Sequence, residues 1–288
     1  MQCTRTILFG GAMLLASVAS QALALDGPYK GAFAGNRLEL DNIAGHISVA
    51  VGGDKIAIDI AGQPEELAAM DVRADGQSVR IKSTLHRHNV RNADELAQVR
   101  ISVPKGTALS LDGVIGHMEA GDTGGDISVD SGALKGEIGA VKSAHLDGSG
   151  AIDLTIGDIA GDLDLDSSGA AKIKAKSAAS AHLDISGASD VDIGALRGGF
   201  SADINGHGRI DIGTVNGPVN VDMSGAGEVL IKGGRANPLR VEVSGVGRFE
   251  FDGDAVDPNL EASGLAQIKI RSYTGKLHSS GGNITIGK

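Results

Sequence analysis

Seven acidic residues recur along the chain at nearly equal intervals, and each lies three positions before a glycine. They are Asp147, Asp166, Asp184, Asp203, Asp222, Glu242 and Glu261. If the repeats stack, these carboxylates form one outward column, in which neighbours at about 4.8 Å repel by about 0.9 kcal/mol per pair even in water. Because calcium binds several oxygen ligands, often carboxylates, the column is a candidate face for a divalent cation or another cationic ligand. The alternative interpretation is a solvated face that keeps the protein soluble and discourages lateral stacking.

A second column, three positions after each glycine, has a different charge pattern. Its members are Lys172, Asp190, Arg209, Glu228, Arg248 and Gln267. The sign nearly alternates along this column, which is the arrangement that pairing between neighbouring strands favours. The chain therefore balances charge at one position of the repeat and leaves it unbalanced at the acidic position.

The histidines do not predict a metal site. The chain has eight of them, spread over many repeats, and only His86 and His88 lie close together, in the basic stretch "HRHNVR". Zinc sites need three or four ligands, and no third ligand lies near this pair in the sequence. We expect an exposed basic loop at this stretch.

Acidic pairs within one repeat, Asp164 with Asp166 and Asp190 with Asp192, allow a further interpretation as a polysaccharide-active enzyme. Such an enzyme needs a cleft, usually lined by apolar and aromatic side chains. The repeat spacing is too constant to leave room for long loops between the coils, and the chain has no Trp and two Tyr. The sequence therefore predicts a protein that is not an enzyme, without catalytic or cofactor-binding residues, in which calcium at the acidic column is the one cofactor to consider.

The glycines beside these columns indicate the architecture that positions them. Ten glycines, most of them in Ser-Gly or Asn-Gly pairs, follow one another at nearly constant gaps: Gly113, Gly132, Gly150, Gly169, Gly187, Gly206, Gly225, Gly245, Gly264 and Gly281. The unit is too short for a four-stranded propeller blade and has no helical periodicity. It predicts an all-β solenoid, a parallel β-helix with one coil of about 19 residues per repeat.

Apolar residues alternate with polar ones on either side of each glycine. Around Gly187, for example, Leu183, Val191 and Ile193 are apolar. Asp184, which follows Leu183, and Asp192, which lies between Val191 and Ile193, are polar. Alternation with period two predicts two short strands per coil, each with one buried face. The glycine would make the corner between the strands, because it adopts φ values that other residues resist.

The regularity of the repeat divides the chain. We predict regular solenoid coils over residues 106–288 and more decorated coils with a cap over residues 25–105, all in one continuous domain. Two interruptions, residues 64–70 and 85–95, predict short helical or loop insertions. An uncovered C-terminal coil would expose a sheet edge and permit association there.

Residues 1–24 have the pattern of a cleavable signal peptide. Arg5 precedes the apolar run "TILFGGAMLLASVAS", and Ala22-Leu23-Ala24 fits the cleavage rule. Cleavage would remove Cys3, the only cysteine, and no later segment is apolar enough to cross a bilayer. The formal net charge of −10 disfavours nucleic acid and anionic membranes as partners. We expect an exported protein, in the periplasm or outside the cell.

The recurring unit φ-D-x-S-G-x-G-x-φ-x-φ, in which φ is an apolar residue, together with the upstream stretch "VRISVPKGTALSLDG", resembles the head GIN domain family over residues 33–288. Members of that family are described as autotransporter adhesin heads and exported β-strand-repeat proteins. The resemblance implies a single-stranded right-handed parallel β-helix at the cell envelope or surface, and it supplies no established catalytic residues. It favours a non-catalytic solenoid that presents a binding face to an unknown surface ligand. The alternative is a structural rod, a homo-oligomer that assembles through its C-terminal coil.

Overall fold

The computed structural model describes residues 23–85 and 96–287, of which 72% lie in strands. Each strand of the regular region pairs in parallel with its counterparts in the coil before it and the coil after it. Leu183, for example, lies in register between Leu165 and Ala202. The protein is therefore a β-solenoid of about nine turns, which confirms the predicted fold class and coil length.

The chain contains twenty-five strands and one short helix in the described residues. The strands are β1 (Leu23–Ala24), β2 (Tyr29–Phe33), β3 (Arg37–Asp41), β4 (Ala44–Val51), β5 (Ile56–Ala61), β6 (Met70–Asp75), β7 (Ser78–Ser83), β8 (Ala97–Val103), β9 (Ala108–Asp112), β10 (Ile115–Ala120), β11 (Ile127–Ile138), β12 (Ala144–Asp158), β13 (Asp162–Ser167), β14 (Ala170–Ala178), β15 (Ser180–Ile185), β16 (Ala188–Leu196), β17 (Phe200–Ile204), β18 (His207–Met223), β19 (Ala226–Ile231), β20 (Gly234–Val243), β21 (Val246–Val256), β22 (Asn259–Ala262), β23 (Leu265–Thr274), β24 (His278–Gly281) and β25 (Ile284–Ile286). The helix α1 spans Pro64–Ala68.

Two parallel sheets run along the solenoid and meet at the corner that carries the anchor glycines. The first sheet contains β3, β9, β13, β15, β17, β22 and β24, with the parts of β11, β12, β18 and β20 that pair with them. The second sheet contains β4, β10, β14, β16, β19, β21, β23 and β25, with the remaining parts of β11, β12 and β18. A third, shorter side closes each coil.

The N-terminal end departs from the parallel pattern. Strand β2 pairs antiparallel with β5, and β5 pairs antiparallel with β8, which itself continues the second sheet through β4. Strands β1, β6 and β7 form a similar antiparallel extension of the first sheet through β3. Helix α1 lies within the first predicted insertion and begins at Pro64, where the fixed φ of proline suits the first helical turn. Residues 86–95, which make up nearly all of the second insertion and include His86 and His88, lie outside the described residues.

The core consists of stacked rows of inward side chains. The predicted rows are buried from Leu146 to Leu260 before the corner and from Ile173 to Ile270 after it. Phe249 and Phe251 are the largest side chains among them and have no exposed surface. Since these rows repeat in every coil, each coil needs its neighbours to complete its burial.

The corner glycines are required by close stacking, and the predicted reason, their φ values, is wrong for most of them. Gly113, Gly264 and Gly281 have positive φ, whereas the seven anchors between Gly113 and Gly264 do not. Instead, a Cβ on Gly187 would overlap the carbonyl oxygen of Gly169 in the neighbouring coil. The same overlap, always with the glycine one coil earlier, recurs at most of the other anchors. A side chain at the corner would therefore push neighbouring coils apart.

The last coil has a different register from the predicted one. Gly281 pairs with Ala262 and not with Gly264, so it is not the equivalent of the other anchors. Ile284 then pairs with Ile268, which shortens this corner by three residues relative to the coil before it. As a result Ser279 lies opposite Leu260. Leu277, which lies four positions before Gly281 just as Leu183 lies four positions before Gly187, is only partly buried.

Candidate functional site

The seven predicted acidic residues lie in register on the outer side of the first sheet. The pairing runs without interruption from Asp147 to Glu261. Three further carboxylates extend the column toward the N-terminus, since Asp41 pairs with Asp112, Asp112 with Asp130, and Asp130 with Asp147. We call these ten residues the acidic column, and the outer side of the first sheet the acidic face. The rise between coils is about 4.8 Å, so the column is about 43 Å long.

The glycine spacing did not reveal the three additional members because the early corners are shorter. Asp130 lies two positions before Gly132, and Asp112 lies directly before Gly113. A different signal does identify them. Each follows two apolar residues in alternation, as in "LELD", "LSLD" and "ISVD", and these residues pair as the inward rows do. Alignment on the apolar rows would therefore have found the complete column.

The acidic column is unbalanced in charge over nine of its ten positions. Asp41, at its N-terminal end, binds Lys82 with an Nζ–Oδ2 distance of 2.7 Å. Among the ion pairs of the described residues, none involves the nine carboxylates from Asp112 to Glu261. Asn205 donates a hydrogen bond of 2.9 Å to Asp203, and that contact is neutral. At the C-terminal end Ser280 pairs with Glu261 and ends the run of charge.

Partial burial and repulsion along the column both affect the proton affinity of Asp130. Partial burial raises the pKa of this carboxyl above its ordinary value, and the charges of Asp147 and Asp112 raise it further. Each of these effects disfavours the charged form. The folded protein therefore holds a carboxylate at Asp130 at a cost in stability.

The neighbouring outward column of the acidic face does not supply the missing positive charge. Its members, in coil order, are Glu39, Ser110, Ser128, His145, Asp164, His182, Ser201, Asn220, Arg240, Asn259 and His278. Arg240 is the one Arg or Lys in it. Asp164 adds a carboxylate beside Asp166, so this predicted acidic pair belongs to the acidic face.

Charge along the second sheet alternates in sign, as the sequence predicts, and several of its carboxylates have basic partners. Lys135, Asp153, Lys172, Asp190, Arg209, Glu228, Arg248 and Gln267 lie in register, and we call them the alternating column. Arg209 Nη1 lies 3.2 Å from Glu228 Oε2, and Arg248 Nη1 lies 3.8 Å from Glu228 Oε1. One column further along the strands, Lys269 binds Glu250 and lowers the pKa of that carboxyl.

Carboxylates on the third side also have partners. Asp158 accepts hydrogen bonds of 2.7 Å from Lys176 and from Ser177, and both contacts lower its pKa. Asp126, at the edge of the first sheet, binds Ser143 and Lys142 and has a lowered pKa for the same reason. The acidic column therefore differs from these paired carboxylates of the second sheet and the third side, because nine of its members in succession have no ion pair among the described residues.

The arrangement does not gather ligands around a point. Within residues 23–85 and 96–287, no three His, Cys, Asp or Glu side chains converge closely enough to hold a metal ion. His46 and His117, which the sequence did not single out, lie in register with ring centroids 6.2 Å apart. The acidic pair Asp190 and Asp192 lies on the outer side of the second sheet, beside Lys172 and Arg209. A row of evenly spaced carboxylates suits a long cationic ligand better than a single ion.

One sequence family matches the chain. It is described as "Putative auto-transporter adhesin, head GIN domain" and covers residues 42–235. No curated protein matches the chain. No helix among the described residues has the length and hydropathy needed to cross a membrane.

Several solved structures are similar to the chain, at low sequence identity. One is described as a "putative adhesin" from Bacteroides fragilis NCTC 9343, with 14% identity, a TM-score of 0.40, and coverage of 93% of this chain and 95% of that one. Another, described as a "putative lipid binding protein" from Parabacteroides distasonis ATCC 8503, has 12% identity, a TM-score of 0.39, and coverage of 91% and 97%. A third, a "putative adhesin" from Parabacteroides merdae ATCC 43184, has 10% identity, a TM-score of 0.34, and coverage of 94% and 96%.

Proposed function

Because the chain belongs to the head GIN domain family, we propose that it is a non-catalytic, adhesin-like binding protein of the cell envelope or surface. In this proposal the acidic face is the binding face. The ligand is an extended cationic molecule, such as a basic polypeptide segment, that lies along the acidic column.

The observation that carries this proposal is the contrast between the faces of one solenoid. Several carboxylates of the second sheet and the third side have Lys or Arg partners, as at Glu228 and Asp158. Nine successive carboxylates of the acidic column have none among the described ion pairs, although stacking itself requires no charge at this position. Unpaired like charges in a row cost stability, and a cationic ligand would remove that cost.

The length of the column compensates for the weakness of each contact. An exposed ion pair contributes about 0–1 kcal/mol, so one Lys on one Asp would bind poorly. A ligand that engages several carboxylates at once gains from each, because the later contacts form within a tethered complex. Such binding falls steeply as ionic strength rises, since salt screens exposed charges.

Calcium is the alternative ligand for the same column, and a titration separates the two. We expect calorimetric titration of the purified protein with oligolysine to show saturable binding at low ionic strength. Calcium alone, at millimolar concentration, is expected to give no binding heat and no change in melting temperature. Saturable calcium binding that raises the melting temperature would show that the ligand of the column is the ion and not a polymer. Failure of oligolysine to bind at low salt would reject the acidic face as a cation-binding surface.

Assembly through the C-terminal coil is a second candidate role, favoured by the partial exposure of its apolar residues. Ile284 and Ile286 are partly buried, whereas their partners Ile268 and Ile270 in the preceding coil are fully buried. A concentration-dependent oligomer that Ile286→Lys abolishes would support this role. An oligomer that survives the substitution would reject it.

A further inference from the structure

An apolar row runs along the outer side of the second sheet, beside the corner. We call it the apolar row. Its members, one per coil, are apolar except for His207: Ile115, Ala133, Ala151, Ala170, Ala188, His207, Ala226, Val246 and Leu265. The four consecutive alanines form the floor of an open groove of about 740 Å³. At the other end of the row, Val246 and Leu265 are 57% and 78% exposed. One end is therefore recessed and the other carries protruding apolar side chains.

We propose that two copies of this chain associate antiparallel through the outer sides of their second sheets. The twofold axis lies along the strand direction, between the coils of Ala188 and His207. Such an axis sets each column of one copy against the same column of its partner in reverse order. Leu265 then faces the partner's Ala133, and Val246 faces the partner's Ala151. The large exposed side chains of each copy enter the groove of the other, which removes apolar surface from water at both ends.

The alternating column borders the groove. In this register, each of its charged residues that faces a charged residue of the partner faces one of opposite sign. Asp190 faces the partner's Arg209, Lys172 faces the partner's Glu228, and Asp153 faces the partner's Arg248. This follows from the alternation itself, because an axis midway between two coils pairs opposite signs. A shift of one copy by a single coil would place like charges together along the whole column. The column therefore excludes registers displaced by one coil.

The outward column two residues further along the same strands contains one pair of facing residues with like charge. Asp192 of one copy faces the partner's Asp211. Lys232 Nζ lies 2.6 Å from Asp211 within each copy, and Arg209 lies 3.8 Å from the same carboxylate, so positive charge is present at the contact. In the same column Glu137 faces the partner's Lys269, a favourable meeting.

The overlap is large enough for a stable dimer. Eight coils, from Ala133 to Leu265, span about 38 Å, and a six-residue strand spans about 20 Å. Each copy would bury roughly 760 Å², close to the value of about 800 Å² per partner that specific complexes show. A register displaced by two coils would also match charges. With Leu265 over Ala170 the overlap is two coils shorter. Displacement in the opposite direction keeps the overlap but sets Val246 over Ile115 and Leu265 over Ala44, so neither side chain lies over the four alanines of the groove.

The acidic faces lie on other sides of the two solenoids in this dimer. The inference is independent of the proposed ligand, and the dimer presents two acidic columns that run in opposite directions. A ligand with repeated basic segments could engage both columns, with a gain from linkage that a monomer lacks.

Sedimentation velocity over a range of protein concentrations tests the dimer. We expect a monomer–dimer equilibrium, shifted to monomer by Leu265→Asp and by Asp190→Arg. The double variant D190R/R209D should restore the dimer, because Arg at 190 then faces Asp at the partner's 209. Tyr273→Asp, which changes an exposed apolar residue on the third side, and Ile286→Lys, at the C-terminal coil, should leave the dimer intact. Melting curves establish that each variant is folded.

A cross-linking experiment tests the register. Facing sheets lie about 10 Å apart, within reach of a short bis-maleimide. Ala151→Cys protein mixed with Val246→Cys protein should give a cross-linked pair, whereas Ala151→Cys alone should not, since its two copies lie five coils apart, about 24 Å. A monomer at every concentration, a dimer unaffected by Leu265→Asp, or efficient cross-linking of Ala151→Cys with itself would each overturn the proposal.

Discussion

Lys82 and Asp41 form an ion pair across two neighbouring strands of the first sheet, with 2.7 Å between Nζ and Oδ2. Lys82 belongs to β7, the strand that joins the antiparallel N-terminal extension to the solenoid. Positive charge therefore meets the acidic column at the end of the parallel stack, and the nine carboxylates beyond Asp41 lack such a partner among the described residues. The imbalance begins where the repeating coils begin, and so it belongs to the repeat.

Replacement of Asp130 by Asn should stabilise the protein at neutral pH. Burial and its acidic neighbours raise the pKa of Asp130 in the folded state, so the fold is destabilised by this charge at pH values above that pKa. The gain from Asp130→Asn should shrink to nothing as the pH falls through the carboxyl range, where the native residue is already protonated. Melting temperatures of the two proteins between neutral and acidic pH measure the effect.

Asp158 provides the matched control with the opposite sign. Its contacts with Lys176 and Ser177 lower its pKa, so its charge stabilises the fold above the ordinary carboxyl pKa, and this contribution is lost as the pH falls through the lowered value. Asp158→Asn should therefore lower the melting temperature at neutral pH. If both substitutions shift the melting temperature in the same direction, the contrast between the acidic column and the paired carboxylates is wrong.

The loss of stability caused by substituting a corner glycine should depend on which atoms the added Cβ would meet. A Cβ on Gly187 would overlap the backbone of Gly169, whereas a Cβ on Gly132 has no atom within 4 Å. We expect Gly187→Ala to destabilise the protein by about 1–3 kcal/mol, because the coils must separate. Gly132→Ala should be neutral or should stabilise by up to about 1 kcal/mol through the unfolded chain. Denaturant unfolding measures both, and equal losses would show that stacking is not the reason for glycine.

Neutralisation of three successive column members should raise stability in a salt-dependent way. The triple variant D166N/D184N/D203N removes repulsion between neighbours, each pair of which costs about 0.9 kcal/mol in water before screening. We expect a higher melting temperature than that of the native protein at low ionic strength, and a difference that nearly disappears in concentrated salt. A difference that salt leaves unchanged would mean that the gain has a cause other than charge repulsion.

The sequence predicted the parts of the fold that repeat and missed the parts that depend on local backbone geometry. Leu183 and Val191 were placed in the core correctly, because period-two alternation directly reflects which side of a strand is buried. Asp112 and Asp130 were missed because a shorter corner changes the distance to glycine without changing the pairing of strands. Gly281 was misaligned for the same reason. The close approach of Gly187 to Gly169 involves the neighbouring coil, and the sequence of one coil does not reveal it.

The apolar row illustrates a second limit of the sequence. Ala151 and Val246 are unremarkable as single residues, and neither was predicted to have a role. They become a recessed and a protruding part of one surface only when the coils are stacked in register. Stacking also gives the alternating column a second property. Its charges, which the sequence predicted to pair within one chain, also complement the charges of a second copy that runs in the opposite direction.

The most direct test of the central claim is the affinity of a fluorescent oligolysine for two variants that carry the same change in net charge. D166N/D184N/D203N removes three charges from the acidic face, and D158N/D252N/D254N removes three from the third side. Fluorescence anisotropy at low ionic strength should show at least a tenfold loss of affinity for the first variant and little change for the second. Equal affinities for the two variants would show that the ligand responds to overall charge, and would contradict the assignment of the acidic column as the binding face.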